Sequence, residues 1–262
     1  MTDSTPIDLP SLSASGRAIS EILREARKKA RALPGFPGDV PDTLEEAYAI
    51  QDASRQAWPD TLIGWKVGGM SAGAAERFGT SRLAGPIFSR TLQNAKAGER
   101  TRMPAFEGGF AAIEPEFVLC LGDTRETDRL FIGCEIASSP VPDINGYGPA
   151  AVISDFGNNH GLLVGPEVTD WRKPADPVPV GIMINDELIG SRELDDITID
   201  VMAAREFLLA LCAERSIELP VGTLVSCGAI TGVHEASIGA SAHITFGSLG
   251  ALDLELVPAR QS

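Results

Sequence analysis

Ile113-Glu114-Pro115-Glu116-Phe117-Val118-Leu119-Cys120-Leu121 is an apolar run that carries two carboxylates two positions apart. Read as a β-strand, it puts Glu114 and Glu116 on one face, because successive side chains alternate across the pleat. Two carboxylates side by side in an otherwise apolar strand are costly to bury unless a cation joins them. A hard divalent ion such as Mg2+ accepts carboxylate oxygens and keeps positions for water or for a substrate that chelates through its own oxygens. Glu135, in Cys134-Glu135-Ile136, is the natural third ligand. The plainer alternative is a solvated strand face with both glutamates in water.

Working outward from that strand, which the pattern extends over Gly109 to Leu121, Leu62-Ile63-Gly64-Trp65-Lys66-Val67-Gly68 reads as a buried strand bearing one lysine. A short helix over Ser71 to Phe78 follows it. Further back, Ile19, Ile22, Leu23, Ala26, Ala30 and Leu33 keep helical spacing between about Ser15 and Leu33, with Arg24, Arg27, Lys28, Lys29 and Arg31 as an exposed basic face. Pro34-Gly35-Phe36-Pro37-Gly38 breaks that helix, and Thr43-Leu44-Glu45-Glu46 has the capping-box pattern that starts a second one, running to about Trp58. Downstream, Asp123 to Arg129 is polar and loop-like, and Leu130 to Ile136 is apolar again. Asp155-Phe156-Gly157-Asn158-Asn159-His160-Gly161 is a polar knot with apolar flanks. Val180 to Gly190 has the pattern of a hairpin turning near Asn185-Asp186, and Ile199 to Ala213 that of a helix. Thr223 to Ala229 and Ala242 to Leu256 supply the last strands, the latter broken at Gly247-Ser248-Leu249-Gly250. Regular βαβ alternation is missing, so the expected class is α+β, a mixed or antiparallel β core with N-terminal and peripheral helices. The expected division is a helical segment over residues 1–60 and a catalytic domain over 61–262.

Composition narrows the function classes. The 262 residues carry a formal charge of -14, which disfavours unspecific attraction to nucleic acid or to an anionic membrane surface. No apolar run approaches the ~20 residues that span a bilayer. Met1 to Pro6 lacks the basic and apolar regions of a secretory signal, so the expected location is the cytoplasm. Cys120, Cys134, Cys212 and Cys227 sit in apolar stretches without C-x-x-C spacing, which fits buried thiols. Trp65 and Trp171 read as packing residues, and His234 and His243 show no ligand-like pairing.

The blocks Thr43 to Gln51, Gly64-Trp65-Lys66-Val67-Gly68, Ile113 to Glu116, Cys134-Glu135-Ile136, Asp155 to Gly165 and Gly222 to Gly232 occur in an order that resembles the 2-keto-4-pentenoate hydratase (2-hydroxypenta-2,4-dienoate hydratase) family of the fumarylacetoacetate hydrolase superfamily. The resemblance covers nearly the whole chain. It implies a fumarylacetoacetate hydrolase-like mixed-sheet or β-roll core, and Mg2+ or Mn2+ held by Glu114, Glu116 and Glu135. It also implies substrate contacts from Lys66 and Phe117. The family's D-N-A-S-S-G-G block falls on Asp155 to Gly161, so Asn158 and Asn159 stand where the family has substrate-facing serines. Asparagine donates and accepts as serine does, but it is larger and a poor proton relay. Two further departures stand out. The family's acidic residue in a P-D-F/Y-G-like loop has no counterpart in Arg82-Leu83-Ala84-Gly85-Pro86-Ile87-Phe88, and Glu135 follows Glu116 by only 19 positions, where relatives place a helix-bearing segment. A homo-oligomer, association with a decarboxylase or aldolase of the same pathway, and a place in the breakdown of aromatic compounds are further implications.

The chemistry this implies is water addition to a 2-oxo-4-pentenoate-type acid, giving a 4-hydroxy-2-oxo acid through an enolate that the metal stabilises. Lys66 would pair with the substrate carboxylate or the enolate, and Asn158 and Asn159 would orient substrate or water. A ligating glutamate or a water on the metal is the candidate for the proton transfers. Blander readings stay open: Lys66 snorkelling from a strand edge, Asp155 bracing a turn instead of catalysing, His160 as a hydrogen-bonded structural residue instead of a proton carrier. Rival functions are a 4-oxalocrotonate-type decarboxylase sharing the three-glutamate site, and a non-catalytic 2-oxo-acid-binding relative. A C–C bond hydrolase fits less well, since no histidine precedes His160.

Overall fold

A computed structural model describes residues 12–173 and 176–261. The segment Met1 to Pro6, on which the expected location rests, lies outside them. Helix α1 (Ala14–Lys28) begins at Ser13, whose side chain accepts from Gly16 N, and α2 (Leu44–Gln56) at Thr43, which accepts from Glu46 N at 3.2 Å. Helix α1 buries Ile19, Leu23 and Ala26 as its periodicity requires, but its basic face is not wholly exposed. Arg27 is buried, while Ile22 is 43% exposed. Arg27 lies four residues after Leu23, on the same inward stripe, where buried acceptors receive it.

The chain continues as β1 (Leu62–Gly69), α3 (Ala72–Phe78), β2 (Arg82–Phe88), β3 (Leu92–Asn94), β4 (Thr101–Ala105), β5 (Phe110–Cys120) and β6 (Arg129–Ser139). Then come α4 (Pro149–Ser154), β7 (Asn159–Glu167), β8 (Val178–Ile184), β9 (Glu187–Leu194) and α5 (Ile197–Glu214). The last elements are β10 (Leu224–Ser226), β11 (His234–Glu235), β12 (Ser241–Phe246) and β13 (Ala251–Pro258). The larger sheet has the order β2-β1-β10-β5-β6-β7-β3 with β11 alongside β5, and the smaller one the order β4-β13-β12-β8-β9. Most pairs are antiparallel; β1–β10, β3–β7 and β13–β4 are parallel. This is the α+β, mixed-sheet class expected.

One apolar core unites the two sheets, with Trp65 and Phe117 of the larger packed with Ile244, Phe246 and Leu252 of the smaller. A second cluster joins α1, α2 and α4 to Phe110, Ala112 and Ala137, so the N-terminal helices share a core with the larger sheet. Trp171 is buried, and the four cysteines are free, all buried except the half-buried Cys120. No helix among the described residues is long and apolar enough to cross a membrane.

Two features of this topology build the site. The short link after Glu116 is the turn of a β-hairpin, and the β5–β6 register sets Glu114 directly opposite Glu135 and Glu116 opposite Gly133. The Arg82 to Phe88 segment, aligned with the family's acidic loop, is instead an edge strand whose Gly85 pairs with Lys66. Pro86 sits within it because an edge strand tolerates a proline that a central one excludes.

Candidate metal centre

Alternation along β5 sends Glu114 and Glu116 to one side of the sheet and Phe117 to the other. The cross-strand register of β6 adds Glu135 to the first side, since directly opposed residues share a face. One oxygen from each of the three carboxylates lies within 4.8 Å of the others. Glu114, Glu116 and Glu135 are 5%, 1% and 0% exposed, which rules out the solvated-face reading.

Each carboxylate is held differently. Glu116 Oε2 accepts from the Ser226 hydroxyl and from Gly228 N, the latter at 3.0 Å. Glu135 Oε1 accepts from Asn159 Nδ2 at 2.9 Å, and its Oε2 lies 3.3 Å from Lys66 Nζ. Among the described residues, Glu116 Oε1 and Glu135 Oε2 are nonetheless buried without an aligned hydrogen-bond donor. Burial pushes the Glu114 carboxyl up to about 7, against the pull of Lys66, and pushes Glu116 well above the ordinary carboxylate range, with Glu135 and Glu114 adding to it. Burial alone would lower the Lys66 ammonium, but attraction to Glu135, Glu114 and Glu116 outweighs it and holds Lys66 above its usual value. Three carboxylates against one ammonium, with two oxygens orphaned, is a donor set that a hard divalent cation completes.

Lys66 is aimed by its surroundings. Its Nζ donates to Asn158 Oδ1 at 3.2 Å, and its stem runs over Gly157. Gly157 has φ +63, and a Cβ there would come within 2.9 Å of the Gly85 Cα, so the turn can close over β2 only as glycine. Asn158 Nδ2 in turn donates to Asn145 Oδ1 at 3.2 Å. Lys66, Glu114 and Asn158 open onto a hollow of about 400 Å3 whose wall also holds Met70, Leu83, Val152 and Val233. Lys66 is the one cationic side chain on that wall among the described residues.

The structure thus brings together Glu114, Glu116, Glu135, Lys66, Asn158 and Asn159. The other two expected residues turn elsewhere. Asp155 takes the Arg27 guanidinium on both oxygens, at 2.5 and 2.9 Å, and the Ser139 hydroxyl at 2.6 Å, the bracing arrangement. Phe117, expected at the substrate, packs against Phe246 at 5.7 Å in the core between the sheets, because an odd-numbered position on β5 faces away from the glutamates. His160 stacks on Phe106 at 4.2 Å, and burial, with the Arg27 charge, lowers its pKa to about 3, so it is a neutral structural ring at physiological pH.

Sequence reading missed three contributors. Ser226 and the Gly228 amide hold Glu116 from β10 and the turn after it, and Arg27 clamps the knot by donating to the Asp155 and Asn159 carbonyls at 2.9 Å each. The placement of Arg27 on the stripe of Leu23 and Ala26 was the available signal for it; nothing local marks Ser226.

No family model matches the chain, and no curated protein does. Solved structures match its fold. The 4-oxalocrotonate decarboxylase from Pseudomonas putida G7 complexed with magnesium and adipate aligns with a TM-score of 0.76 at 17% identity, covering 92% of this chain and 97% of that one. Its complex with calcium and acetate gives 0.74 at 17% identity, over 93% and 97%. The fumarylpyruvate hydrolase from Pseudomonas aeruginosa in complex with Mn2+ and pyruvate gives 0.52 at 15% identity, over 78% and 94%. The fold of this chain is therefore the fumarylacetoacetate hydrolase-like one; those three structures contain Mg2+, Ca2+ or Mn2+, and the buried glutamates of this chain form a group that could hold a metal ion.

Proposed function

We propose that this chain is a divalent-metal-dependent hydro-lyase that adds water to a small acid of the 2-oxopent-4-enoate type, giving a 4-hydroxy-2-oxo acid. The observation that carries it is the buried trio Glu114, Glu116 and Glu135 with Lys66 beside it, opening onto a hollow with an otherwise mostly apolar wall. A divalent cation held by the trio would supply a Lewis acid for the carboxylate and 2-oxo oxygens of the substrate, which lowers the cost of the enolate. The remaining work falls to the chain. The Lys66 ammonium, kept charged by the glutamates and oriented by Asn158, offers positive charge to the substrate carboxylate or to the enolate oxygen. Asn159 acts through Glu135 as a positioning residue, and Asp155 through Arg27 and the knot backbone. Glu114 is the trio's carboxylate on the hollow's wall, and so the one placed to exchange a proton with the substrate. The apolar wall suits the vinyl or alkyl end of a monocarboxylate. A homo-oligomer, and association with a decarboxylase or aldolase of the same pathway, belong to the same reading.

A second reading, the 4-oxalocrotonate-type decarboxylase, draws on the same wall. A far carboxylate placed among Leu83, Val152 and Val233 would be poorly solvated on that side, and a poorly solvated carboxylate departs more readily as CO2. The fold likeness to a protein of that activity extends over nearly the whole chain. One experiment separates the readings. The purified protein is incubated with 2-hydroxypenta-2,4-dienoate and with 4-oxalocrotonate, with Mg2+ and then with a chelator, while ultraviolet absorbance and CO2 are followed. Loss of dienol absorbance without gas supports the hydratase, gas release supports the decarboxylase, and no change in either leaves a non-catalytic oxo-acid binder.

A further inference from the structure

A second hollow, of about 510 Å3, shares no wall residue with the one at Lys66, and only Asn159, which holds Glu135 from behind, belongs both to its wall and to the metal centre's surroundings. Its apolar part is a cluster of rings. Trp58 and Phe88 lie 5.5 and 5.2 Å from Phe156, both edge-on, and 5.9 Å from each other. Its wall also carries the exposed Arg90, Arg102 and Arg260. Among the described residues none of these three guanidinium groups forms an ion pair, in a chain whose formal charge is -14, although Glu255 stands opposite Arg102 in the β13–β4 register. Asp60, the acid on the wall itself, is already engaged, accepting from Ser89 Oγ at 2.6 Å, Arg90 N at 3.0 Å and Thr61 N at 2.7 Å. Arg27, also on the wall, is neutralised by Asp155.

Three exposed arginines around one concavity outnumber the nearby Glu255 and leave a positive potential that an anion relieves. Guanidinium forks match a carboxylate bidentately, and aromatic rings take a flat ring in offset or edge contact. The volume falls within the range of about 300–1,000 Å3 typical of small-molecule sites. We propose that this hollow is a second binding site, for an aromatic carboxylate whose ring packs on the half-buried Trp58, which the buried Phe88 and Phe156 hold in place, and whose charge meets the arginines.

Titration of the full chain with benzoate, in Mg2+, tests this by tryptophan fluorescence and calorimetry, and needs no turnover, so it stands apart from the reading of the metal centre. Saturable binding in the micromolar to low millimolar range is the expected result, at least tenfold weaker for cyclohexanecarboxylate and at least tenfold weaker in the double variant Arg102→Gln, Arg260→Gln. In Trp58→Phe the fluorescence change should vanish while the calorimetric heat persists. Oxalate, a chelating ligand for the metal centre, should leave benzoate binding unchanged. The proposal is overturned by the absence of saturable heat, by displacement of benzoate by oxalate, or by wild-type affinity in a folded double arginine variant. Dissociation of that variant into smaller oligomers, with no benzoate binding by the wild type, would assign the arginines to a subunit contact instead.

Discussion

Arg27→Met should unfasten the polar knot, and the structure sets the scale of the loss. The guanidinium donates to both Asp155 carboxylate oxygens, to the Asp155 and Asn159 carbonyls at 2.9 Å each and to the Ser138 carbonyl at 3.3 Å. The two side chains are 3% and 1% exposed. Methionine keeps much of the apolar volume but strands a buried carboxylate whose remaining donor is the Ser139 hydroxyl. Breaking one side of such a pair costs about 3–5 kcal/mol, roughly a fifth or more of the ~5–15 kcal/mol that holds a typical domain together. Urea unfolding followed by far-ultraviolet circular dichroism should show a midpoint lower by about 1–2 M. Removing the stranded charge as well, in Arg27→Met with Asp155→Leu, should recover at least half the loss, because a buried pair replaced by apolar groups is often near neutral. A single-variant loss below about 1 kcal/mol, or a double variant whose loss is the sum of the two single ones, would refute the clamp.

Glu116→Gln should leave the fold intact and abolish metal-dependent turnover, and Asn159→Ala should weaken Mg2+ binding about 10–100-fold by releasing Glu135; calorimetric Mg2+ titration checks both, and wild-type affinity in either variant removes that residue from the site. Without metal, the raised pKa of Glu114 means that the folded chain holds a proton the unfolded chain releases above its ordinary 4.5. That stabilising contribution is therefore complete below about pH 4.5 and is lost as pH rises through about 7, by on the order of 3 kcal/mol. Mg2+ competes with that proton, so its affinity should climb across the same window; a metal-free melting temperature that rises between about pH 5 and 8 would contradict this sign. Phe117→Ala should cost about 3–5 kcal/mol in denaturant unfolding through the cavity left beside Phe246, while KM for the oxo acid stays near wild type; a large KM change with unaltered stability would return Phe117 to the substrate pocket.

What the sequence determined by itself was local. Alternation put Glu114 and Glu116 on one face, Thr43 capped α2, and Asn185 and Asp186, with φ of +51 and +67, turned the β8–β9 hairpin. Each of these rests on neighbours within a few residues, where backbone sterics and side-chain spacing are fully written in the chain. Tertiary structure decided the rest. Glu135 became a ligand through the register of β6 against β5, and Ser226 reached Glu116 from 110 positions away through the β10–β5 pairing. Arg27 sank into the core because α1 packs over the knot at residues 155–159, and Phe117 turned inward because the smaller sheet covers that face of β5. No periodicity records which sheet face a partner will cover. Contacts between distant segments are selected by how the whole apolar surface is buried, and that selection turned two glutamates on a strand into a three-carboxylate centre.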